Sequence, residues 1–248
     1  MTPYYEIHGD GEPLVLLHGG FGTIRAWGPV LAGLAEHRQV VAVELQGHGH
    51  TPDVDRPLRY ETMADDIASL VDLLGSRPVD VLGHGLGGGV ALRLGIQHPD
   101  AVRGLVLVST PYARKGWHPD VPTMRSSMYE EYAAVASRPD DWPALVAKVG
   151  ELLGRDYDWS AEVRELRPRT LLVYGDTDAV PLTHAAEFFA LLSAAGDGPR
   201  RPRHCLAVLP GTTRDTIGTS PALAQTAARF LGKPRRTVEP ARIRPPSY

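Results

Sequence analysis

The chain contains one cysteine, Cys205, which excludes an intramolecular disulfide and fits a reducing compartment. No apolar run approaches the roughly 18 residues that span a bilayer. The opening residues, MTPYYEIHGDGEP, lack the basic and apolar regions of a signal peptide. The expectation is a soluble cytoplasmic protein. Neither sign of charge dominates, with 26 Lys and Arg against 29 Asp and Glu. Such a balance offers no basic surface to nucleic acid and no solvated acidic tail. His18, His48 and His50 lie in glycine-rich loops, but no nearby acid completes a ligand set and no H-E-x-x-H spacing occurs. No metal or cofactor is expected.

What is present is alternation. At 248 residues the chain suits one α/β domain with a full core. Six short apolar runs read as buried strands: Pro13 to Gly20, Gln39 to Leu45, Val79 to Gly85, Gly104 to Thr110, Thr170 to Asp176 and Cys205 to Gly211. Their near-continuous Val and Leu content is that of parallel strands covered on both faces. Between them, Met63, Ile67, Leu70, Val71 and Leu74 share one helical face. THAAEFFALL and SPALAQTAARFLG are further helices, the second with Ser220 as N-cap and Pro221 at its first position. Strand–helix alternation of this kind predicts a doubly wound, mostly parallel sheet.

Two regions break the pattern. Residues 111–166 carry no strand signal and hold Trp117, Met128, Tyr132, Trp142 and Trp159. They read as a helical lid over a core formed by 1–110 and 167–232. Its aromatics either pack a small core of their own or face a pocket. Residues 233–248, rich in Pro and Arg, read as a flexible tail.

One short stretch poses the functional question. A strand runs into Gly83-His84-Gly85-Leu86-Gly87 and out into a helix, the layout of a G-x-S-x-G nucleophile elbow. The nucleophile position holds Gly85, which has no side chain.

Four segments together resemble the α/β-hydrolase superfamily from Leu14 to about Leu231: LLHGGFGT, VELQGHGHT, GHGLGGGVA, and the pair VYGDTDAVP with LPGTTRDT. The resemblance implies an α/β-hydrolase fold with a helical lid. It places the catalytic acid at Asp178 and the histidine at the position of Arg214. It also implies an oxyanion hole made of backbone, from the amides of Leu86 and Gly20, which needs neither lost side chain. Loss of the nucleophile or histidine costs a triad on the order of 10⁶ in rate. A conventional serine esterase is therefore excluded.

Arg214 is always charged and is no general base. It either pairs with Asp178 and plugs the old site, or clamps a substrate carboxylate, phenolate or enolate. His84, leaving the elbow turn, either packs or shuttles a proton near neutral pH. Phe21, Trp117, Met128 and Tyr132 are candidate pocket residues. Three readings stand open. The first is non-covalent, non-hydrolytic chemistry of cyclase, lyase or isomerase type on a hydrophobic small metabolite. The second is a catalytically inactive pseudo-hydrolase that binds a small molecule or partner. The third is weak hydrolysis by water held between His84 and Asp178.

Overall fold

The computed structural model describes residues 1–119, 127–194 and 203–232. The expectation for the tail, 233–248, lies outside them. Seven strands form one sheet: β1 (Tyr5–His8), β2 (Pro13–Leu17), β3 (Gln39–Val43), β4 (Val79–His84), β5 (Val102–Val108), β6 (Arg169–Thr177) and β7 (Cys205–Thr213). Their spatial order is β1-β3-β2-β4-β5-β6-β7. All neighbours are parallel except β1, which runs antiparallel to β3. The six expected strands are present. The edge strand β1 is not among them, because YEIH carries too little apolar alternation to stand out.

The sheet is covered on both faces, which its residue alternation dictates. In β2, Val15 and Leu17 face one apolar core with Met63, Ile67, Val90 and Leu94. Leu14 and Leu16 face the other with Val30, Leu34, Leu223 and Leu231. The helices that supply these cores are α1 (Gly28–Ala35), α2 (Tyr60–Leu73), α3 (Leu86–Gln97), α7 (Leu182–Ser193), the short α8 (Arg214–Ile217) and α9 (Pro221–Leu231). Pro221 does occupy the start of α9. Ser220 sits at the N-cap with extended backbone, but its side chain makes no capping hydrogen bond.

Between β5 and β6 lie α4 (Ser127–Ala133), α5 (Trp142–Gly154) and α6 (Ser160–Arg164). In α5 the buried residues Leu145, Val149 and Leu152 recur at helical spacing and turn that face toward the sheet's carboxyl ends. No helix among the described residues is long and apolar enough to cross a membrane.

Strand order reverses between β2 and β4, with β3 on one side and β5 on the other. A crevice opens at such a switch point, beyond the carboxyl ends of the strands. The loop after β2 and the turn after β4 meet there.

Candidate functional site

The turn after β4 is a strained elbow. Gly85 has φ 53° and ψ −111° at the N-cap of α3, a backbone state that costs a non-glycine residue about 1–3 kcal/mol. Its N–H donates to Val108 O at 2.9 Å, and its carbonyl accepts from Gly89 N at 3.0 Å. A side chain here would have room. A Cβ would meet nothing closer than Arg214 Nη2 at 3.7 Å and Nε at 3.8 Å. Position 214 therefore sits next to the nucleophile position, as the motif mapping implies.

Leu86 and Gly20 meet beside the elbow, where a Cβ on Gly20 would lie 3.5 Å from Leu86 Cδ1. Leu86 is the first residue of α3, where helix N–H groups lack intrahelical partners. Among the described residues no acceptor is found for the N–H of Leu86 or of Gly20. Gly87 N donates to His18 O at 3.1 Å, which ties the loop after β2 to the start of α3. That loop is held from behind by two imidazoles. His18 Nδ1 donates to Gly19 O at 2.7 Å, and its Nε2 accepts from Leu45 N at 3.1 Å. His48 Nδ1 donates to Gln46 O at 2.9 Å, and its Nε2 accepts from Phe21 N at 3.1 Å. Phe21 is thereby held at φ 62°, in the left-handed region uncommon for a bulky side chain. Burial, chiefly, pushes His18 down to about 3 and His48 down to about 4. Both are neutral spacers, and His50 bonds to Glu44 at 2.9 Å.

The acid position is engaged elsewhere. Asp178 Oδ2 accepts from Ser109 Oγ at 2.7 Å and from Gly175 N at 2.8 Å, and Oδ1 accepts from Val180 N at 3.2 Å. Burial raises its pKa, against the pull of these donors. The expected Asp178–Arg214 ion pair is not formed. The physical reason is competition: Ser109, fully buried at the end of β5 with φ 47°, reaches the carboxylate first. The Arg214 guanidinium instead lies over the Trp117 ring, 5.5 Å from its centroid, a cation–π contact.

Of the two parts open to His84, the contacts are those of packing. Its Nε2 donates to Arg214 O at 3.0 Å, and its ring lies edge-on to Trp27 at 6.2 Å. Burial first, then the Arg214 charge, lowers its pKa to about 4. It is neutral at physiological pH, below which it would have to titrate to shuttle protons, and it braces the backbone of residue 214.

Two cavities border this constellation. An inner one of about 110 Å³ is walled by Gly20, Leu86, Arg214, Arg114, His118 and apolar side chains that include Phe21 and Trp117. An outer one of about 680 Å³ is bordered by Gly20, Phe21, His84, Met128 and Arg214. Of the candidate pocket residues, Phe21 and Trp117 line the inner cavity, and Met128 lines the outer one. Tyr132 lines neither. It is buried among the helices between β5 and β6 against Trp142, at 5.1 Å between ring centroids, with its hydroxyl donating to Arg138 O at 3.3 Å. Asp178 lines neither as well. Sequence reasoning missed Arg114, His118, Val149 and Leu153. The last two follow from the apolar face of α5, but nothing in YARKGWHP marks Arg114 or His118.

The alpha/beta hydrolase fold family matches the chain over residues 12–192. The chain belongs to that family. A 2-hydroxy-6-oxo-2,4-heptadienoate hydrolase from Pseudomonas putida is 29% identical over 211 residues, covering 69% of this chain and 74% of that protein. A putative carbamate hydrolase RutD of Azorhizobium caulinodans is 35% identical over 106 residues, 43% of this chain. That match spans only 40% of the carbamate hydrolase. Among solved structures, a serine hydrolase involved in carbazole degradation superimposes with a TM-score of 0.72 at 22% identity, covering 92% of this chain and 93% of its own. An E-2-(acetamidomethylene)succinate hydrolase gives 0.70 at 20% identity, with 92% and 94% covered. At these identities the structures speak to the α/β-hydrolase fold alone.

Proposed function

We propose that this α/β-hydrolase-fold protein acts on a small, hydrophobic, anionic or enolisable molecule by non-covalent chemistry, of the cyclase, lyase or isomerase type. The observation that carries this reading is the position of Arg214. Its guanidinium reaches within 3.7 Å of the point where a nucleophile's Cβ would lie. It shares the wall of the inner cavity with Gly20 and Leu86. A substrate oxygen received there meets two backbone donors and a fixed positive charge, which stabilise negative charge as it develops. No hydroxyl at Gly85 competes to form an acyl intermediate, and arginine takes no proton from one.

The named relatives are hydrolases. In this chain the covalent route lacks its nucleophile, while the elements that bind and polarise a carbonyl remain in place. Water-mediated hydrolysis between His84 and Asp178 gains no support from the geometry, because Asp178 is held by Ser109 and two amides.

A second reading, binding without turnover, has one observation in its favour. Among the described residues walling the inner cavity, His118 is the sole imidazole and there is no carboxylate. Proton transfer thus rests on one side chain. If His118→Gln abolishes conversion while binding persists, the protein is an enzyme with His118 as its proton carrier.

The deciding experiment exposes the purified protein to small-molecule extract of its host and compares depleted, bound and new compounds by mass spectrometry. A compound consumed with a new product of altered mass supports the enzyme reading. A compound retained unchanged supports the binding protein. Conversion that survives replacement of both Arg214 and Asp178 by alanine removes the roles assigned to them.

A further inference from the structure

We infer that Arg114 anchors a carboxylate of the ligand, so that the inner cavity selects a small carboxylic acid over its neutral counterpart. This deepens the preceding reading and rests on its premise that the inner cavity is the ligand site. Arg114 opens the 3-10 turn Arg114–Gly116 after β5. Its backbone is pinned, with the N–H donating to Tyr157 O at 2.9 Å. Arg114 belongs to the cavity wall and also borders a surface pocket with Asp156 and Asp158, yet its Nε is buried and finds no hydrogen-bond acceptor.

An orphaned guanidinium N–H carries the desolvation cost of a charged donor, which structures normally relieve with a partner. The described wall of the cavity supplies none, since it contains no Asp or Glu. It does bring a second guanidinium, from Arg214, and the apolar surfaces of Phe21, Trp117, Val149 and Leu153. Apolar walls weaken screening, so a carboxylate entering here is attracted more strongly than at an exposed arginine. Arginine's planar fork suits a carboxylate, which takes two parallel N–H bonds. A dry apolar cavity of about 150 Å³ is enough for benzene. The room here is smaller, about 110 Å³, but Gly20, Phe21 and Arg214 also border the outer cavity, so it takes a carboxylate on a short carbon frame, or on a single ring whose far edge extends toward that opening. With that carboxylate on Arg114, the carbonyl or enolate oxygen of the same molecule is left for Arg214 and the two amides. Two oxygens with separate anchors fix the orientation of a small ligand, which one anchor does not.

The test is isothermal titration calorimetry of the full chain with benzoate and with benzamide, its uncharged isostere. Saturable binding of benzoate, at least tenfold tighter than benzamide, is expected. Arg114→Gln should reduce benzoate affinity at least tenfold and leave benzamide unchanged. Arg114→Lys, which keeps the charge but loses the fork, should fall between. The lysine variant also serves if the glutamine variant fails to fold, and a thermal melt reports on both. Equal binding of benzoate and benzamide, or benzoate affinity untouched by either substitution, overturns the carboxylate anchor and leaves the cavity as ligand site standing. Binding of neither probe overturns the anchor and the ligand-site premise together.

Discussion

The Ser109 hydroxyl donates to Asp178 Oδ2 at 2.7 Å, an oxygen that also accepts from Gly175 N at 2.8 Å. The residue at the position expected for the acid is thus engaged by a strand-end serine. Restoring the missing pair is nevertheless sterically open, since a Cβ at Gly85 meets only the Arg214 side chain, at 3.7 Å. The double variant Gly85→Ser, Arg214→His should gain measurable turnover of small activated esters such as p-nitrophenyl acetate, above both the buffer rate and either single variant. Adding Ser109→Ala should raise it further by freeing Asp178. A folded triple variant with no activity would mean that the Gly20 and Leu86 amides do not receive an ester oxygen.

Buried neutral imidazoles give the fold an acid limit. His18, His48 and His84 have a pKa near 6.5 when unfolded and about 3, 4 and 4 when folded. Between these values the unfolded chain binds protons that the folded one excludes. Their contribution to stability is therefore complete above pH 6.5 and lost as pH falls toward 4. At about 1.4 kcal/mol per unit per group, several kcal/mol disappear, a large share of the roughly 5–15 kcal/mol typical of a domain. The urea midpoint should drop steeply between pH 7.5 and pH 5. His48→Gln, whose amide oxygen can still accept from Phe21, should flatten that slope. A midpoint that does not move over this range would contradict the burial of these rings.

Much of this was readable from residue order because the features concerned are periodic or local. Near-continuous Val and Leu runs placed the strands, and the face of Met63, Ile67 and Leu70 placed α2. The elbow declared itself through glycines that tolerate a strand pressed against a helix. What escaped depended on distant residues meeting. The partner of Asp178 proved to be Ser109, 69 residues away, with a backbone conformation no local pattern announces. Strand β5 was expected to run from Gly104 to Thr110, but it ends at Val108, because Ser109 turns to φ 47°. Tyr132 looked like a pocket residue by its aromaticity alone, and which way a lid helix rotates is set by tertiary packing. Arg114 carried no signal, since only the closed cavity gives its guanidinium meaning.

Far from the site, Asp80 should be a stability hot spot. It is fully buried and accepts from Arg38 Nη1 at 2.9 Å and from Arg103 Nη2 at 2.8 Å. Arg38 is itself nearly buried, with 4% of its side chain exposed, so removing the acid strands a charge in the interior. Breaking such a pair from one side costs about 3–5 kcal/mol. Asp80→Asn should lower the urea midpoint accordingly, while ligand affinity of the remaining folded protein stays unchanged. A loss below about 1 kcal/mol would show that water reaches the pair.

Gly87 links the fold to the chemistry most directly. A Cβ there would strike the carbonyl oxygens of Leu17 and His18 and come within 2.7 Å of Leu17 C. These are backbone atoms at the end of β2, so no side chain can swing aside. The contact matters because Gly87 N donates to His18 O at 3.1 Å, the bond that sets Gly20 beside Leu86. Gly87→Ala should cost about 3 kcal/mol or more as overpacking of a close approach. That corresponds to ~10 °C in Tm for a domain of this size. The matched control is Gly150→Ala in α5, where a Cβ meets nothing within 4 Å. It should be neutral or stabilising by up to ~1 kcal/mol, from helix propensity. Equal Tm values for the two variants would mean that β2 and α3 are not in contact as described, and the placement of Gly20 beside Leu86 would fall with that contact.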